Sequence, residues 1–319
     1  MAVDLALIRE AHDRIRGDIH ETPLLHSDRI DRICDAEVWF KAEHLQKAGA
    51  FKTRGAVNAV RSLPADVAVR GVATHSSGNH GAALARAAAL RGIPAWIVMP
   101  SNAVQVKKDV VRAYGGEVIE CEPTLSARES TLAQITSSRG AHFVPPYDDD
   151  RVIAGQGTAM LEVLRQLDGI DCCIAPVGGG GLLAGSAVVA ADAGIDVYGA
   201  EPEGADDAHR SLISGNRVEQ HVPDTIADGL LTTLGARNFE IIRRLVKDIL
   251  LVSDEEIRES MRLLWTRTKQ VVEPSAAVTL AAIIRNPGVF RGRKVVAMLT
   301  GGNVDVDNLP FNASDRDQP

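Results

Sequence analysis

The sequence predicts an α/β fold in which mainly parallel strands are covered by helices. Two observations lead to this prediction. Short apolar runs typical of buried strands alternate with segments of helical spacing along most of the 319 residues. A turn-rich acidic joint at 145–150, with the sequence PPYDDD, interrupts the alternation, which then resumes. The chain is therefore expected to form two α/β units.

The elements before the joint follow in a regular order. Apolar spacing predicts a helix at 6–16, a strand at 38–43 and a helix at 51–63. Further strands are predicted at 71–75, 95–99, 118–121 and 142–144, and further helices at 81–90, 104–114 and 125–138. Pro100 closes the strand at 95–99, and the glycine pair at 115–116 ends the helix at 104–114.

Beyond the joint the alternation resumes. Strands are predicted at 172–177, 197–201 and 295–299, and helices at 159–166, 182–193, 254–269 and 276–284. The polar tail at 312–319 is expected to be frayed. The predicted division is a small domain of residues 66–146 set into a large domain made of residues 1–65 and 147–319.

Composition and charge argue against several classes of function. The net charge is −7, whereas nucleic-acid and anionic-membrane surfaces require a basic face. No run of about eighteen apolar residues occurs, and the charged start lacks the apolar core of a signal peptide. The four cysteines have no disulfide or zinc spacing. We expect a cytoplasmic protein that acts on a small molecule, with no nucleic-acid or membrane partner.

A run of glycines stands between a predicted strand and a predicted helix, where ligands bind in sheets of this kind. The run consists of Gly178, Gly179, Gly180 and Gly181. Without Cβ atoms the backbone can point several N–H groups at an anion, and the helix N-terminus adds partial positive charge. The pattern is neither a P-loop nor GxGxxG. It predicts a phosphate-binding loop, in preference to a merely flexible turn.

Three further segments carry groups of chemical interest. The loop SSGNHG, at 76–81, suits a carboxylate but is equally compatible with an ordinary helix N-cap. Lys52 follows Phe51 at a helix start, where its pKa could be lowered for Schiff-base chemistry, although most lysines are simply solvated. The acidic segment at 201–207 is either a solvated loop or a site for Mg²⁺ or Ca²⁺.

Taken together, these segments resemble the fold-type II pyridoxal phosphate enzymes, and within them the serine/threonine dehydratase and serine racemase group. The matching segments, in family order, are KAGAFKTRGAVNAV, THSSGNHGAALARAA, VIAGQGT, PVGGGGLLAG, AEPEGADDA, PDTIADG, VVEPSAA and LTGGNVD. The resemblance implies a tryptophan synthase β-like fold: two open, twisted, mainly parallel sheets flanked by helices, with the cofactor in the cleft between the domains. It also implies a homodimer.

The resemblance assigns cofactor-binding roles by position. Lys52 would form the Schiff base with pyridoxal 5′-phosphate, and Phe51 would lie against the ring. Asn79 would hydrogen-bond the ring 3-oxygen, and Thr300 would meet the pyridine nitrogen. The phosphate would be held by Gly178, Gly179, Gly180 and Gly181.

The resemblance also implies substrate and metal sites. The carboxylate of an amino acid substrate would lie among Ser76, Ser77, Asn79 and His80, with Arg128 as a further partner. Ser77 also matches the serine placed across the cofactor from the lysine in the racemases. A divalent cation, Mg²⁺ or else Ca²⁺ or Mn²⁺, would be held by Glu201, the carbonyl of Ala205, and Asp207.

The expected reaction is α,β-elimination from a hydroxy amino acid such as L-serine or L-threonine, which gives a 2-keto acid and ammonia. Lys52 would remove the α-proton, and a neutral Thr300 would favour prompt loss of the β-hydroxyl. Racemisation would need a proton from the opposite face, which Ser77 could supply. The alternatives are an amino acid racemase and a 3-hydroxyaspartate dehydratase, followed by a β-replacement synthase and a non-catalytic relative.

Three positions depart from the family pattern. Ala50 replaces the usual serine before the Phe-Lys pair. Ala82 replaces a glutamine that helps to bind ATP in the mammalian racemases, so nucleotide activation is not expected. Tyr147 stands where those racemases carry asparagine, and PYD at this joint looks more like the bacterial dehydratases.

Overall fold

The computed structural model describes residues 3–103 and 105–311. The predicted tail at 312–319 and Val104, the first residue of the predicted helix at 104–114, lie outside the described residues. The strands are β1 (Leu24–His26), β2 (Glu37–Lys41), β3 (Val72–His75), β4 (Ala95–Pro100), β5 (Glu117–Cys121), β6 (His142–Phe143), β7 (Cys172–Pro176), β8 (Asp196–Pro202), β9 (Asp248–Val252) and β10 (Lys294–Met298).

The helices surround these strands. They are α1 (Leu5–Ile15), α2 (Asp28–Cys34), α3 (Lys52–Arg61), α4 (Ala65–Ala68), α5 (Asn79–Arg91), α6 (Gln105–Ala113), α7 (Leu125–Arg139), α8 (Asp150–Gln166), α9 (Gly181–Asp192), α10 (Asp207–Ser214), α11 (Ala236–Leu245), α12 (Asp254–Leu263), α13 (Pro274–Arg285) and α14 (Pro287–Phe290). Among the described residues, no helix combines the length and the apolar character that a membrane crossing requires.

The strands form two sheets, which confirms the predicted α/β class. The larger has the order β1-β2-β10-β7-β8-β9, with β1 antiparallel to β2 and the other pairs parallel. The smaller has the order β5-β4-β3-β6 and is parallel throughout. The smaller sheet is a continuous part of the chain, and the larger one comes from both flanks. The exact domain boundaries remain a prediction.

Parallel pairing places the candidate loops at common edges. β2, β10 and β7 are neighbours, so the segments that follow them emerge at the same edge of the larger sheet. Thr300 follows β10, and the glycine run follows β7. The backbone N–H of Phe51 donates to the carbonyl of Thr300 at 3.0 Å, which fixes the start of α3 against this edge.

Helix α8 is longer than predicted. The prediction at 159–166 missed its first half, which begins at Asp150 behind the N-cap Asp149. Two glycines that weaken the helical pattern are contact points of α8. A Cβ at Gly155 would lie 2.6 Å from Cα of Gly55 in α3, and one at Gly157 would lie 2.9 Å from the carbonyl of Gly185 in α9. Close helix packing therefore requires these glycines and offsets their low helix propensity.

Other predictions are wrong in their bounds. The strand predicted at 38–43 ends at Lys41, and Glu43 lies instead in a 3₁₀ turn that directs its side chain inward. The helix predicted at 254–269 ends as α12 at Leu263 and continues as a π-helical turn, Leu264–Thr268. Periodicity did not predict seven elements, most of them short or strongly charged: β1, α2, α4, α10, α11, β9 and α14.

Four buried charges join the elements around α3. Arg54 bonds Glu43 at 2.7 Å and Glu162 at 2.6 Å, and Nζ of Lys41 bonds Glu162 at 2.7 Å. All four side chains have 1% exposure or less. The set is electrically neutral, which is the condition under which buried charges are tolerated.

We predict that Glu162→Ala lowers the free energy of unfolding by about 3–5 kcal/mol, because two buried cations, Lys41 and Arg54, would then share the single carboxylate of Glu43. Urea unfolding of the purified protein measures the change. Glu240→Ala is the matched control, since Glu240 is an exposed partner of Arg243 and its loss should change stability by about 0.5 kcal/mol or less. Equal effects of the two substitutions would contradict the prediction.

Candidate active site

Lys52 is the first residue of α3, and its amine points toward the joint between the sheets. Nζ donates a hydrogen bond to the carbonyl of Pro146 at 2.8 Å. It also lies 5.1 Å from the ring centroid of Phe51 and 5.9 Å from that of Tyr147. Burial lowers the pKa of the amine to about 8. Lys52 is therefore half-buried and hydrogen-bonded, unlike a fully solvated surface lysine.

The glycine loop connects β7 to α9 and ends at the N-terminus of that helix. Gly180 has φ of 88°, a conformation that favours glycine. A Cβ at Gly179 would overlap the ring of Tyr147. The carbonyl of Gly179 accepts hydrogen bonds from Nδ2 of Asn238 at 2.6 Å and from the N–H of Gly235 at 3.1 Å. The loop thus brings glycine backbone to the N-terminus of α9, where backbone N–H groups are suited to a phosphate group.

Asn79 is the first residue of α5, and both the nitrogen and the oxygen of its side-chain amide are hydrogen-bonded. Its Nδ2 donates to Oε1 of Glu273 at 2.8 Å, and its Oδ1 accepts from Asn303 at 2.8 Å. The same amide nitrogen of Asn303 donates to the carbonyl of Ala48 at 2.9 Å, so Asn303 joins the segment before Lys52 to the loop at 76–81, the asparagine loop. Burial raises the pKa of Glu273 to about 8.

Glu273 and Asn303 were missed as site residues. Both lie in segments that carried the family resemblance, VVEPSAA and LTGGNVD, but spacing gives no sign that they meet Asn79. The sequence did contain one indication of Glu273. A Cβ at Gly301 would overlap the carboxylate of Glu273, so the glycine in LTGGNVD leaves room for a buried acid.

The remaining residues of the asparagine loop differ in exposure. Ser76 and Ser77 are partly exposed after β3, and Oγ of Ser76 accepts the N–H of Gly78 at 3.3 Å. His80 is buried, with Nε2 3.1 Å from the carbonyl of Val144. Burial, assisted by the charge of Lys52, lowers the pKa of His80 to about 3, so the ring is neutral and Nε2 carries its proton.

Arg128 and Thr300 lie on different sides of the site. Arg128 belongs to α7, and its charge, after burial, contributes to the lowered pKa of His75 at the end of β3. Thr300 is 5% exposed and lies in the segment after β10, directly beside Phe51. The roles predicted for these two residues, and for the residues of the asparagine loop, remain predictions.

The acidic segment is buried at the two positions predicted to bind a cation. The two oxygens of Glu201 accept the N–H groups of Ala208 at 3.1 Å and His209 at 2.9 Å, and Asp207 accepts the N–H of Leu234 at 2.8 Å. Burial raises the pKa of both carboxyls, and the charge of Asp207 raises that of Glu201 further. The solvated-loop alternative is therefore wrong for Glu201 and Asp207. Both carboxylates offer the hard oxygen donors that divalent cations prefer, and the cation site itself remains a prediction.

Comparison with known proteins agrees with this geometry. The sequence model described as "Pyridoxal-phosphate dependent enzyme" matches residues 15–301. The chain is 48% identical over 304 residues to the beta-hydroxyaspartate dehydratase of Paracoccus denitrificans (strain Pd 1222), with 95% of this chain and 96% of the relative covered.

Solved structures share the whole fold. The serine racemase from Dictyostelium discoideum superimposes with a TM-score of 0.91 at 45% identity, covering 95% of this chain and 99% of that chain. A threonine deaminase from T.th. superimposes with a TM-score of 0.89 at 43% identity, with the same coverage. With its enclosed lysine, its glycine loop and these relatives, the chain belongs to the pyridoxal-phosphate dependent enzyme family, in its fold-type II branch.

Proposed function

We propose that this protein catalyses the dehydration and deamination of a β-hydroxy amino acid, such as L-serine or L-threonine, to a 2-keto acid and ammonia. The observation that carries the proposal is the amine of Lys52, enclosed with a pKa of about 8. Relatives named as a dehydratase and a threonine deaminase support elimination as the outcome.

Different residues of this chain would bind the cofactor and accept the α-proton. The glycine loop would hold the cofactor phosphate. Asn79, whose amide is hydrogen-bonded to Glu273 and Asn303, would orient the pyridine ring of the cofactor. When bound, pyridoxal phosphate supplies a conjugated sink for the electrons left by the α-proton. Lys52, neutral in a large fraction near pH 8, would accept that proton. The hydroxyl would then leave as water, for which the bound cofactor's phosphate would supply the proton, and hydrolysis of the enamine would release ammonia and the 2-keto acid.

The partly exposed serines are the proposed partners of the substrate carboxylate, together with backbone N–H groups at the start of α5. His80 would contribute its backbone N–H, because Nε2 donates its proton to Val144 and the unprotonated Nδ1 has no hydrogen to offer a carboxylate. A substrate held there would place its α-carbon between the asparagine loop and Lys52.

Racemisation is the second candidate, because several similar proteins are named serine racemase, among them one from Dictyostelium discoideum at 45% identity. It requires a proton donor on the face opposite Lys52. Ser77 is the proposed donor, since its loop follows β3 of the smaller sheet whereas Lys52 starts a helix docked on the larger sheet.

We also propose that Glu201, Ala205 and Asp207 bind Mg²⁺, with Ca²⁺ or Mn²⁺ as substitutes. The support is the burial of two carboxylates whose pKa values are both raised. A homodimer and a cytoplasmic location are carried over as proposals from the family resemblance.

Release of keto acid from serine, threonine and 3-hydroxyaspartate, in both enantiomers and with and without Mg²⁺, tests the reaction.

Lys52→Ala should abolish elimination and racemisation. Ser77→Ala should suppress racemisation at least tenfold more than elimination of the L-substrate, while the exposed Ser137→Ala changes neither. Serine that is converted mainly to its enantiomer, with little pyruvate, would rule out the lyase as the main activity. Equal losses in Ser77→Ala would rule out the assigned donor.

The pH dependence of the rate at which the protein binds pyridoxal phosphate tests the lowered pKa of Lys52. Its pKa is lowered from 10.5 to about 8, and the neutral amine is the nucleophile, so the rate should rise with pH and level off above about 8. The appearance of bound-cofactor absorbance after mixing with cofactor-free protein gives this rate. A free lysine amine should show the rise continuing to about pH 10. The same late rise in the protein would refute an enclosed, perturbed amine.

Substitution in the glycine loop tests the phosphate site. Gly179→Ala places a methyl group into the ring of Tyr147, so we expect the affinity for pyridoxal phosphate to fall at least tenfold. Gly288→Ala is the matched control, because a Cβ there has nothing within 4 Å. Equilibrium titration of both proteins with the cofactor measures the effect. Unchanged affinity in Gly179→Ala would exclude this loop as the phosphate site.

A further inference from the structure

The side chain of Asn238, on the first turn of α11, lies between the glycine loop and the joint at 145–150. It is completely buried. Its Nδ2 donates to the carbonyl of Gly179 at 2.6 Å and to the carbonyl of Tyr147 at 3.2 Å. One neutral amide therefore ties the loop predicted to bind phosphate to the segment that carries Tyr147.

The two acceptors fix the orientation of the Asn238 amide. Its Oδ1 has no hydrogen-bond partner among the residues that the structure describes. If the amide turned over, this oxygen would face two carbonyl oxygens, and two hydrogen bonds would be replaced by repulsion between acceptors. This position therefore requires a donor, and an acceptor of the same shape would not be tolerated.

The hydrogen bond to Gly179 determines where the next N–H group points. The peptide between Gly179 and Gly180 is trans, so its C=O and its N–H point in opposite directions. Because the carbonyl is held toward α11, the N–H of Gly180 faces the other side of the loop. In the described parts of the chain, the N–H groups of Gly178, Gly179 and Gly180 donate to no protein acceptor, although all three residues are buried. An anion would satisfy these donors.

Close packing leaves the same peptide little room to turn over. A Cβ at Gly180 would lie 2.6 Å from Cδ1 of Leu234 and 3.0 Å from Cβ of Asn238. The N–H of Gly235 adds a second hydrogen bond to the carbonyl of Gly179, at 3.1 Å. The backbone of the loop is thus held against the start of α11, and Asn238 contributes the shorter of these two bonds.

The second hydrogen bond of Asn238 connects the loop to the surroundings of Lys52. Tyr147, whose carbonyl Asn238 binds, follows Pro146, whose carbonyl accepts the lysine amine at 2.8 Å. One side chain therefore bridges the glycine loop and the segment that orients the amine. The aldehyde and the phosphate of pyridoxal phosphate belong to one small molecule, so the protein must present their two partners at a matching separation.

We propose that Asn238 is a positioning residue for the cofactor. It holds the carbonyl of Gly179 away from the phosphate, so that the N–H of Gly180 is presented to it at a fixed distance from Lys52. The inference rests on the proposed role of the glycine loop as the phosphate site. A neutral amide suits this task, because a carboxylate in its place would repel a phosphate group that carries about −1.5 to −2 charge at neutral pH.

The experiment compares the wild type with Asn238→Leu, which removes the donors, and Asn238→Asp, which keeps the shape of the side chain. The matched control is Asn286→Leu, because Nδ2 of Asn286 also donates to a backbone carbonyl, that of Ala282 at 2.8 Å, at the far end of α13. Each full-length protein is titrated with pyridoxal phosphate and with pyridoxal, which offers the same aldehyde to Lys52 but lacks the phosphate.

Both Asn238 variants should bind pyridoxal phosphate at least tenfold more weakly, because a buried carbonyl loses its partner and the Gly180 N–H loses its orientation. Their affinity for pyridoxal should change by about twofold or less. Asn286→Leu should change neither affinity. The phosphorus NMR signal of bound pyridoxal phosphate should also shift in Asn238→Leu and stay in place in the control.

Equal losses for pyridoxal phosphate and pyridoxal would show that Asn238 has a purely structural role. Unchanged affinity for pyridoxal phosphate in Asn238→Asp would exclude the proposed positioning, and this variant decides if Asn238→Leu does not fold. A wild type that binds pyridoxal as tightly as pyridoxal phosphate would refute the phosphate site itself. A wild type that prefers pyridoxal phosphate, with Asn238 variants that keep the full preference, would refute the role of Asn238 alone.

Discussion

The position of Lys52 depends on a buried electrostatic network that lies just behind it. Arg54, two residues after Lys52, is bonded to Glu43 and Glu162, and Glu162 is bonded to Lys41 at the end of β2. Each charge has been removed from water, so each depends on the others for its stability. The network ties α3, α8 and the larger sheet together, and it leaves Lys52 little freedom other than the torsions of its own side chain.

Burial acts in opposite directions on the acid and the base that flank the candidate site. It lowers the pKa of Lys52 to about 8 and raises that of Glu273 to about 8. Both groups are therefore poised to change protonation in the same narrow range of pH, although one is a strong base and the other a weak acid in water. Burial is the first cause of both shifts, so the two groups owe their pKa values mainly to exclusion from water and not to each other's charge.

Local patterns predicted the alternation of strands and helices and the glycine loop, because both arise from neighbours in the sequence. They did not predict contacts made by the folded chain. Glu273 meets Asn79 across 194 positions, and a partner so remote leaves no periodic signal. The first half of α8 was missed for a related reason. Gly155 and Gly157 weaken a helix in isolation, and only the neighbouring helices explain their presence.

Those same glycines set the mechanical character of the protein. Where α8 meets α3 and α9, backbone closely approaches backbone at Gly155 and Gly157. Layers packed in this way resist sliding, because any shift brings main-chain atoms into collision. Helices α3, α8 and α9 should therefore move together as one rigid layer against the larger sheet. Whatever compliance the enzyme needs to admit and release small molecules must come from the smaller sheet and the loops around it.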